Sequence, residues 1–389
     1  MRSLILSLLL VAPAVQAQAP AGWADFTKAF QSYADTDRVV GATALIMRDG
    51  KVLAQYNTGF ADQKSGARVN DRTIFHWGSI TKMLTAISIL QLRDRGKLSL
   101  DDRVVRWVPE LRQVHDEYGS IDDITIRMLL SHTAGFQAPT WPYGSGETWQ
   151  PFEPTTWNQL VAMMPYQKLA FKPGEKYSYS NPAFIYLARI IESITGDPWE
   201  SYVQKNIFLP LGLTRSYFRS TPYFMASDRS HNYDFVKDEK GNTQLIDNGA
   251  EFDTGITTPN GGWNAAASEL ARFTAFLTNR AATQPGIYDV VLSRKSLEEM
   301  WQPLNPMDVP APADANAWQR WMGLSTFVMK RGDRIALGHT GSQAGFRAFL
   351  YFNPQTSTAI IAALNTANYA EDHSAQYTAL RDQALALLW

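Results

Sequence analysis

Strand-like residues fall into two blocks at opposite ends of the chain, and a sheet built from both must bring those ends together around whatever lies between. Gly41 to Met47 and Lys51 to Tyr56 read as apolar segments with β-branched residues, joined by an Arg48-Asp49-Gly50 turn, the pattern of a hairpin of two antiparallel strands. The second block holds Gly323 to Met329, Arg334 to His339, Phe346 to Phe352 and Thr358 to Leu364, separated by Arg331-Gly332-Asp333, Gly341 to Gly345 and Asn353-Pro354. Together they predict one sheet of about five or six strands, the usual size.

Between the blocks the spacing becomes helical, as in Thr81 to Arg95 before Gly96, Asn181 to Thr195 before Gly196, and Glu269 to Leu277. The first and last helical segments, Trp23 to Tyr33 and Ser374 to Leu388, are placed to cover one face of the sheet. At 389 residues, one compact body or two closely joined subdomains both fit. The stretch Phe136 to Trp157, where Trp141, Tyr143, Trp149 and Phe152 are interleaved with prolines and glycines, reads as an irregular loop, either a cleft wall or a self-packed surface loop.

Arg2, the apolar run Leu4 to Val11 and the small-residue end Val15-Gln16-Ala17 have the form of an export signal, with residues 1–17 removed and Gln18 opening the mature chain. The run is too short for a spanning anchor, so the expectation is a periplasmic or secreted protein without a stable membrane anchor. With no cysteine there is no disulfide, thiolate nucleophile or cysteine-ligated metal, so stability must come from packing. A net charge of −1 gives no nucleic-acid signal. The six histidines form no His-Glu-x-x-His or similar cluster, and no Gly-x-Ser-x-Gly elbow occurs, which argues against a metal hydrolase and an α/β-type serine hydrolase. Neither metal nor cofactor is expected, and the oligomeric state is not legible.

Chemistry concentrates first at Phe75-His76-Trp77-Gly78-Ser79-Ile80-Thr81-Lys82, which runs into a predicted helix. Residues three apart share a helix face, so the Lys82 amine approaches the Ser79 hydroxyl, while the helix N-terminus favours an oxyanion beside it. A serine hydroxyl needs a neighbouring base, and lysine, with an ordinary pKa of about 10.4, serves as one only when burial or another cation lowers it. Alone, Ser-x-x-Lys often just decorates a solvated helix. Further on come Tyr179-Ser180-Asn181, ahead of the second helix, and Gly338-His339-Thr340-Gly341-Ser342, at the end of a predicted strand. Taken singly, Tyr179 and Asn181 suit a helix cap, and His339 and His132 suit buried histidines bonded to backbone.

In this order and context, Ser-x-x-Lys, Tyr-x-Asn and His-Thr-Gly resemble the three motifs of the penicillin-recognising serine hydrolases, in the class C β-lactamase and penicillin-binding-protein branch that includes DD-peptidases, D-aminopeptidases and β-lactamase-fold carboxylesterases. Ile124 to Gly135 and Gly261-Gly262-Trp263 through Phe273 look like further family segments. The resemblance implies an α/β (α+β) fold of the β-lactamase/transpeptidase type. Residues 18–389 would form one catalytic domain, with 18–70 and 310–389 supplying the sheet and 71–309 mainly helical.

It further implies that Ser79 attacks a carbonyl, that Lys82 and Tyr179 move protons, and that Asn181 bonds the substrate amide. His339, Thr340, Gly341 and Ser342 would align the substrate, with the Ser79 and Ser342 N–H groups facing the oxyanion. The substrate would be a small ester, a D-residue peptide or a β-lactam, turned over through an acyl-serine. The alternative is a penicillin-binding sensor that acylates without turnover. One departure matters: His339 stands where β-lactamases typically carry Lys, which weakens attraction for a penicillin carboxylate at neutral pH. Arg347 is either a substitute cation or an ordinary ion-pair arginine.

Overall fold

The structure, a computed structural model, describes residues 19–136, 154–278, 286–312, 314 and 316–389. The export signal and most of the Phe136 to Trp157 loop lie outside the described residues. Of that loop's ends, Phe136 is buried and Trp157 opens a helix, Trp157–Met163, behind a Thr156/Gln159 capping box.

The two strand blocks do meet. In chain order the main sheet contains β1 (Gly41–Arg48), β2 (Lys51–Asp62), β3 (Ala67–Arg68), β4 (Asn305–Pro306), β5 (Gln319–Met322), β6 (Phe327–Arg331), β7 (Arg334–Gln343), β8 (Phe346–Asn353) and β9 (Thr358–Leu364). These nine strands lie in the order β3-β2-β1-β9-β8-β7-β6-β5-β4. The junction is the antiparallel pair β1 and β9, in register from Ala42 opposite Leu364 to Arg48 opposite Thr358. The sheet is thus larger than the five or six strands expected, because the short edge strands β3, β4 and β5 carry no alternation of their own. β6 also begins later than expected: Ser325 sits at φ 57°, outside strand geometry, and its N–H bonds Leu130 O instead of a neighbouring strand.

Strand alternation separates two cores. On one face, Ala42, Ala44, Ile46, Phe349, Tyr351, Ile360 and Ala362 pack against α1 (Trp23–Thr36) and the C-terminal helix (Ser374–Ala386) through Phe26, Phe30, Leu380 and Leu385. Phe30 is fully buried, a burial that contributes about 1.5–3 kcal/mol. On the other face, Leu45, Met47, Leu350, Phe352, Ile361 and Ala363 join a larger core with the helices of the middle region. Its central helix, α2 (Lys82–Asp94), is buried on all sides from Lys82 to Leu92, which is why its hydrophobic pattern is broad rather than striped. α3 (Pro182–Thr195) packs beside it and ends at Gly196, φ 74°. One small three-stranded sheet lies within the middle region, and a second joins two of its strands, Tyr233–Lys237 and Thr243–Asp247, to Thr366–Asn368 from the C-terminal block, so the middle region's backbone is not wholly helical.

Candidate active site

From Thr73 to Leu92 every residue is buried except Ser79, which is partly exposed. Ser79 lies in a 3₁₀ turn, Gly78–Thr81, that leads directly into α2, and Lys82 is the first residue of the helix. The tighter turn before the helix was not expected, yet it keeps the serine and lysine on one side. Lys82 Nζ stands 3.0 Å from Ser79 Oγ, 2.7 Å from Asn181 Oδ1 and 2.9 Å from the Asn260 carbonyl oxygen. Among the described residues no carboxylate touches it, and full burial holds its amine well below the ordinary lysine range.

The Tyr-x-Asn element approaches from the loop before α3. Asn181 occupies the N-cap position, but its side chain makes no cap bond and reaches Lys82 instead. The capping reading of Asn181 is therefore replaced by a bond within the cluster. The Tyr179 hydroxyl bonds Ser79, and Lys82 Nζ lies 4.9 Å from the Tyr179 ring centroid. Burial raises the Tyr179 pKa, an effect the Ser79 bond partly opposes, so the phenol is protonated at neutral pH.

β7 closes the opposite side, and the third motif lies inside this strand, which continues to Gln343. β6 pairs with β7 only from Arg331 opposite Arg334 to Phe327 opposite Gly338, so beyond Gly338 the strand is paired on its β8 side and bare on the other. That bare edge carries Thr340, Gly341 and Ser342 into a cavity of about 440 Å³ shared with Ser79, Tyr179 and Asn181. Two glycines allow the strand and the serine turn to touch. A Cβ on Gly341 would lie 2.0 Å from Trp77 O and 3.3 Å from Ser79 N, and one on Gly78, at φ +49°, would lie 2.8 Å from Ser342 N. Any side chain at either position would push apart the backbone around Ser79 and Ser342.

His339 does not face substrate as a cation. It is fully buried, stacked on Phe327 at 4.2 Å, and its Nδ1 lies 2.5 Å from Thr340 O. Desolvation, with the repulsion of Lys82, pushes its pKa down to about 3, so it is neutral at pH 7. Arg347 lines the cavity, but its Nη1 is 3.0 Å from Tyr33 Oη and 3.2 Å from buried Asp37, the ion-pair outcome of the two considered.

Sequence reasoning missed several neighbours. Phe327, and Tyr377 and Arg381 of the C-terminal helix, all reach the site. His132, expected as a buried histidine bonded to backbone, accepts from Ser180 N at 2.9 Å, but it also stacks on Tyr179. The contiguous arrangement can take a proton from Ser79, hold an anion between two backbone N–H groups, and return a proton through a phenol.

Comparison with known proteins places this geometry. The chain is 25% identical over 327 residues to Protein flp of Staphylococcus aureus, covering 84% of this chain and 60% of that protein, so it spans less than two thirds of its relative's length. Among solved structures, it resembles a class C β-lactamase with a TM-score of 0.72 at 20% identity, covering 95% of this chain and 96% of the other. It also resembles a D-stereospecific amidohydrolase from Streptomyces sp., with a TM-score of 0.70 at 23% identity over 93% and 98% of the two chains. These likenesses share the β-lactamase/transpeptidase-like fold, an antiparallel sheet with helices on both faces. The Beta-lactamase family model matches residues 26–385, and the chain belongs to that family.

Proposed function

We propose that the protein is an exported, periplasmic or secreted serine hydrolase that cleaves an ester or amide through an acyl-serine intermediate, with Ser79 as nucleophile. One observation carries the reading: a fully buried Lys82, with no counter-ion among the described residues, lies 3.0 Å from Ser79 Oγ. A neutral amine has two N–H donors and one lone pair. The Asn181 and Asn260 carbonyl oxygens take the donors, which leaves the lone pair for the Ser79 hydroxyl proton.

Ser79 Oγ attacks the substrate carbonyl carbon as its proton passes to Lys82, and the resulting oxyanion lies against the Ser79 and Ser342 N–H groups. Tyr179, protonated at neutral pH, gives a proton to the leaving group and recovers one from Lys82. Water then attacks the acyl-serine. Its proton returns through Tyr179 and Lys82 to Ser79 Oγ, releasing the carboxylic acid. Asn181 orients the substrate amide, and the bare edge of β7 aligns the substrate main chain. No metal or cofactor enters these steps.

Neutral His339 and paired Arg347 remove two candidate partners for a penicillin carboxylate and leave Arg381 as the other cation lining the cavity, and on that ground small esters or D-residue peptides are preferred to β-lactams. The D-stereospecific amidohydrolase named above is consistent with the peptide branch. The test is a fluorophosphonate label together with p-nitrophenyl esters, D-aminoacyl amides and nitrocefin, applied to the protein and to Ser79→Ala. The expected result is an adduct on Ser79 and ester or amide turnover exceeding that of nitrocefin, all lost in the variant. An unlabelled folded protein, or full activity in Ser79→Ala, would sink the proposal. A single acylation burst without steady turnover would favour the sensor alternative.

A further inference from the structure

His132 is a buried titratable residue at the site that takes no part in those proton transfers. It follows the short helix Ile126–Leu130 and is 1% exposed, with φ at 57°. The left-handed region crowds the Cβ of a residue with a side chain, so the surrounding contacts must hold it there. Beside ring contacts with Tyr177 and Phe184, three of them fall on consecutive residues. The His132 carbonyl accepts from Ser178 N at 2.8 Å, Nδ1 accepts from Ser180 N at 2.9 Å, and the ring stacks on Tyr179 with centroids 4.4 Å apart and planes at 26°.

Because Ser180 N–H donates to Nδ1, that nitrogen must present a lone pair, and the ring proton sits on Nε2. A second proton would set two N–H groups against each other. Burial, aided by repulsion from Lys82 and His339, keeps the imidazole well below its ordinary pKa and so preserves this tautomer. The Nε2–H finds no partner among the described residues. Leaving such a donor buried carries a desolvation penalty that a phenylalanine or leucine filling the same space would avoid. An imidazole is therefore kept at a cost to stability.

We infer that His132 is a positioning residue for acyl transfer: by bonding the amide of Ser180, the residue between the two motif side chains, and stacking on Tyr179, it fixes the Tyr179 hydroxyl on Ser79 and Asn181 on Lys82. This rests on the acyl-serine reading. The Nδ1 acceptor sets the backbone on which both side chains stand, and the ring sets the tilt of the phenol. Misplacing a catalytic group by about 1 Å costs up to about 100-fold in rate, so even a small slip of Ser180 matters.

Two substitutions separate the acceptor from the ring. His132→Asn keeps an oxygen near the Nδ1 position and tolerates positive φ, while His132→Phe keeps a flat ring and loses the acceptor. Both are made in the full chain and compared with the parent and Ser79→Ala for kcat, KM, the rate of fluorophosphonate acylation and melting temperature. The expected order of kcat and acylation rate is parent, then Asn, then Phe, with Phe lowered about 10- to 100-fold and KM far less changed. A folded His132→Phe with parental kcat and acylation rate would overturn the inference. So would losses that appear in KM alone, or equal losses in both variants that merely follow the folded fraction. Should Phe not fold, Asn carries the test: lowered kcat at unchanged KM supports positioning, and parental kcat refutes it. Full activity in Ser79→Ala would instead bring down the acyl-serine reading itself, leaving the two failures distinguishable.

Discussion

A buried amine and a half-buried guanidinium stand near one cavity and meet opposite fates. Lys82, at the head of α2, is fully buried among neutral oxygens, and desolvation drives its pKa down. Arg347, on β8, is 20% exposed at its side chain and lies 3.2 Å from Asp37, which is itself 1% exposed and also bonded by Tyr33 and His373. Guanidinium cannot shed its proton at any working pH, and at Arg347 the Asp37 carboxylate offsets that fixed charge. An amine can, so one without a counter-ion becomes a base. The first arrangement ties α1 and the C-terminal helix to the sheet, and the second holds reactivity.

The largest effect should come from removing the Lys82 amine. Lys82→Met keeps the volume of the side chain and deletes the base, and kcat/KM should fall about 1000-fold, measured on an ester that the parent turns over. Titration sharpens the contrast. Below the ordinary value of 10.5 the unfolded chain holds a proton on Lys82 that the folded chain does not. The unfolded state then binds more protons, so stability of the parent relative to Lys82→Met must rise with pH up to that value and level off above it. Urea unfolding of both proteins between pH 7 and 11 reads this slope. A flat difference would mean a charged Lys82 in the fold and would break the comparison.

Much of this was legible from local pattern. The i, i+3 spacing of Ser79 and Lys82, the Tyr179-Ser180-Asn181 element and the strand carrying His339 to Ser342 are short-range features, and all converge on one cavity. The two strand blocks were equally visible because alternation is written within each segment. Illegible were quantities that arise only when distant segments meet. Burial of Lys82 depends on Asn260, 178 residues away, and Arg347 finds its partner 310 residues away. β4, two residues long, and β5, Gln319–Met322, leave no alternation to read. Asn181 shows the same limit in reverse: its local preference for capping gives way to a tertiary bond with Lys82.

The paired cation should respond in the other currency, stability. Arg347→Met leaves Asp37 buried with Tyr33 and His373 but without its guanidinium. Breaking a wholly buried pair costs about 3–5 kcal/mol, and partial exposure of Arg347 and the surviving bonds reduce this to about 2 kcal/mol. Urea titration at pH 7 measures it, alongside kcat and KM on a neutral ester, where the change should be small beside that of Lys82→Met. A variant of parental stability that had instead lost binding of anionic substrates would move Arg347 from architecture to recognition.

The smallest effect per step, and the most diagnostic of burial, is acid sensitivity. Folding holds His339 at a pKa of about 3 and His76 at about 4, and depresses His132 as well, each mainly by desolvation, against an ordinary 6.5. Below pH 6.5 the unfolded chain takes up these protons and the folded chain does not, so the unfolded state binds more protons and stability falls as pH falls. Each such histidine contributes at most about 1.4 kcal/mol per pH unit in that window, and His76 stops contributing near pH 4, before His339 does. Replacing His339 with Gln should lower the slope of unfolding free energy against pH between 6 and 4 by up to that amount. An unchanged slope would mean that His339 titrates alike in both states, and would overturn burial as the cause of its low pKa.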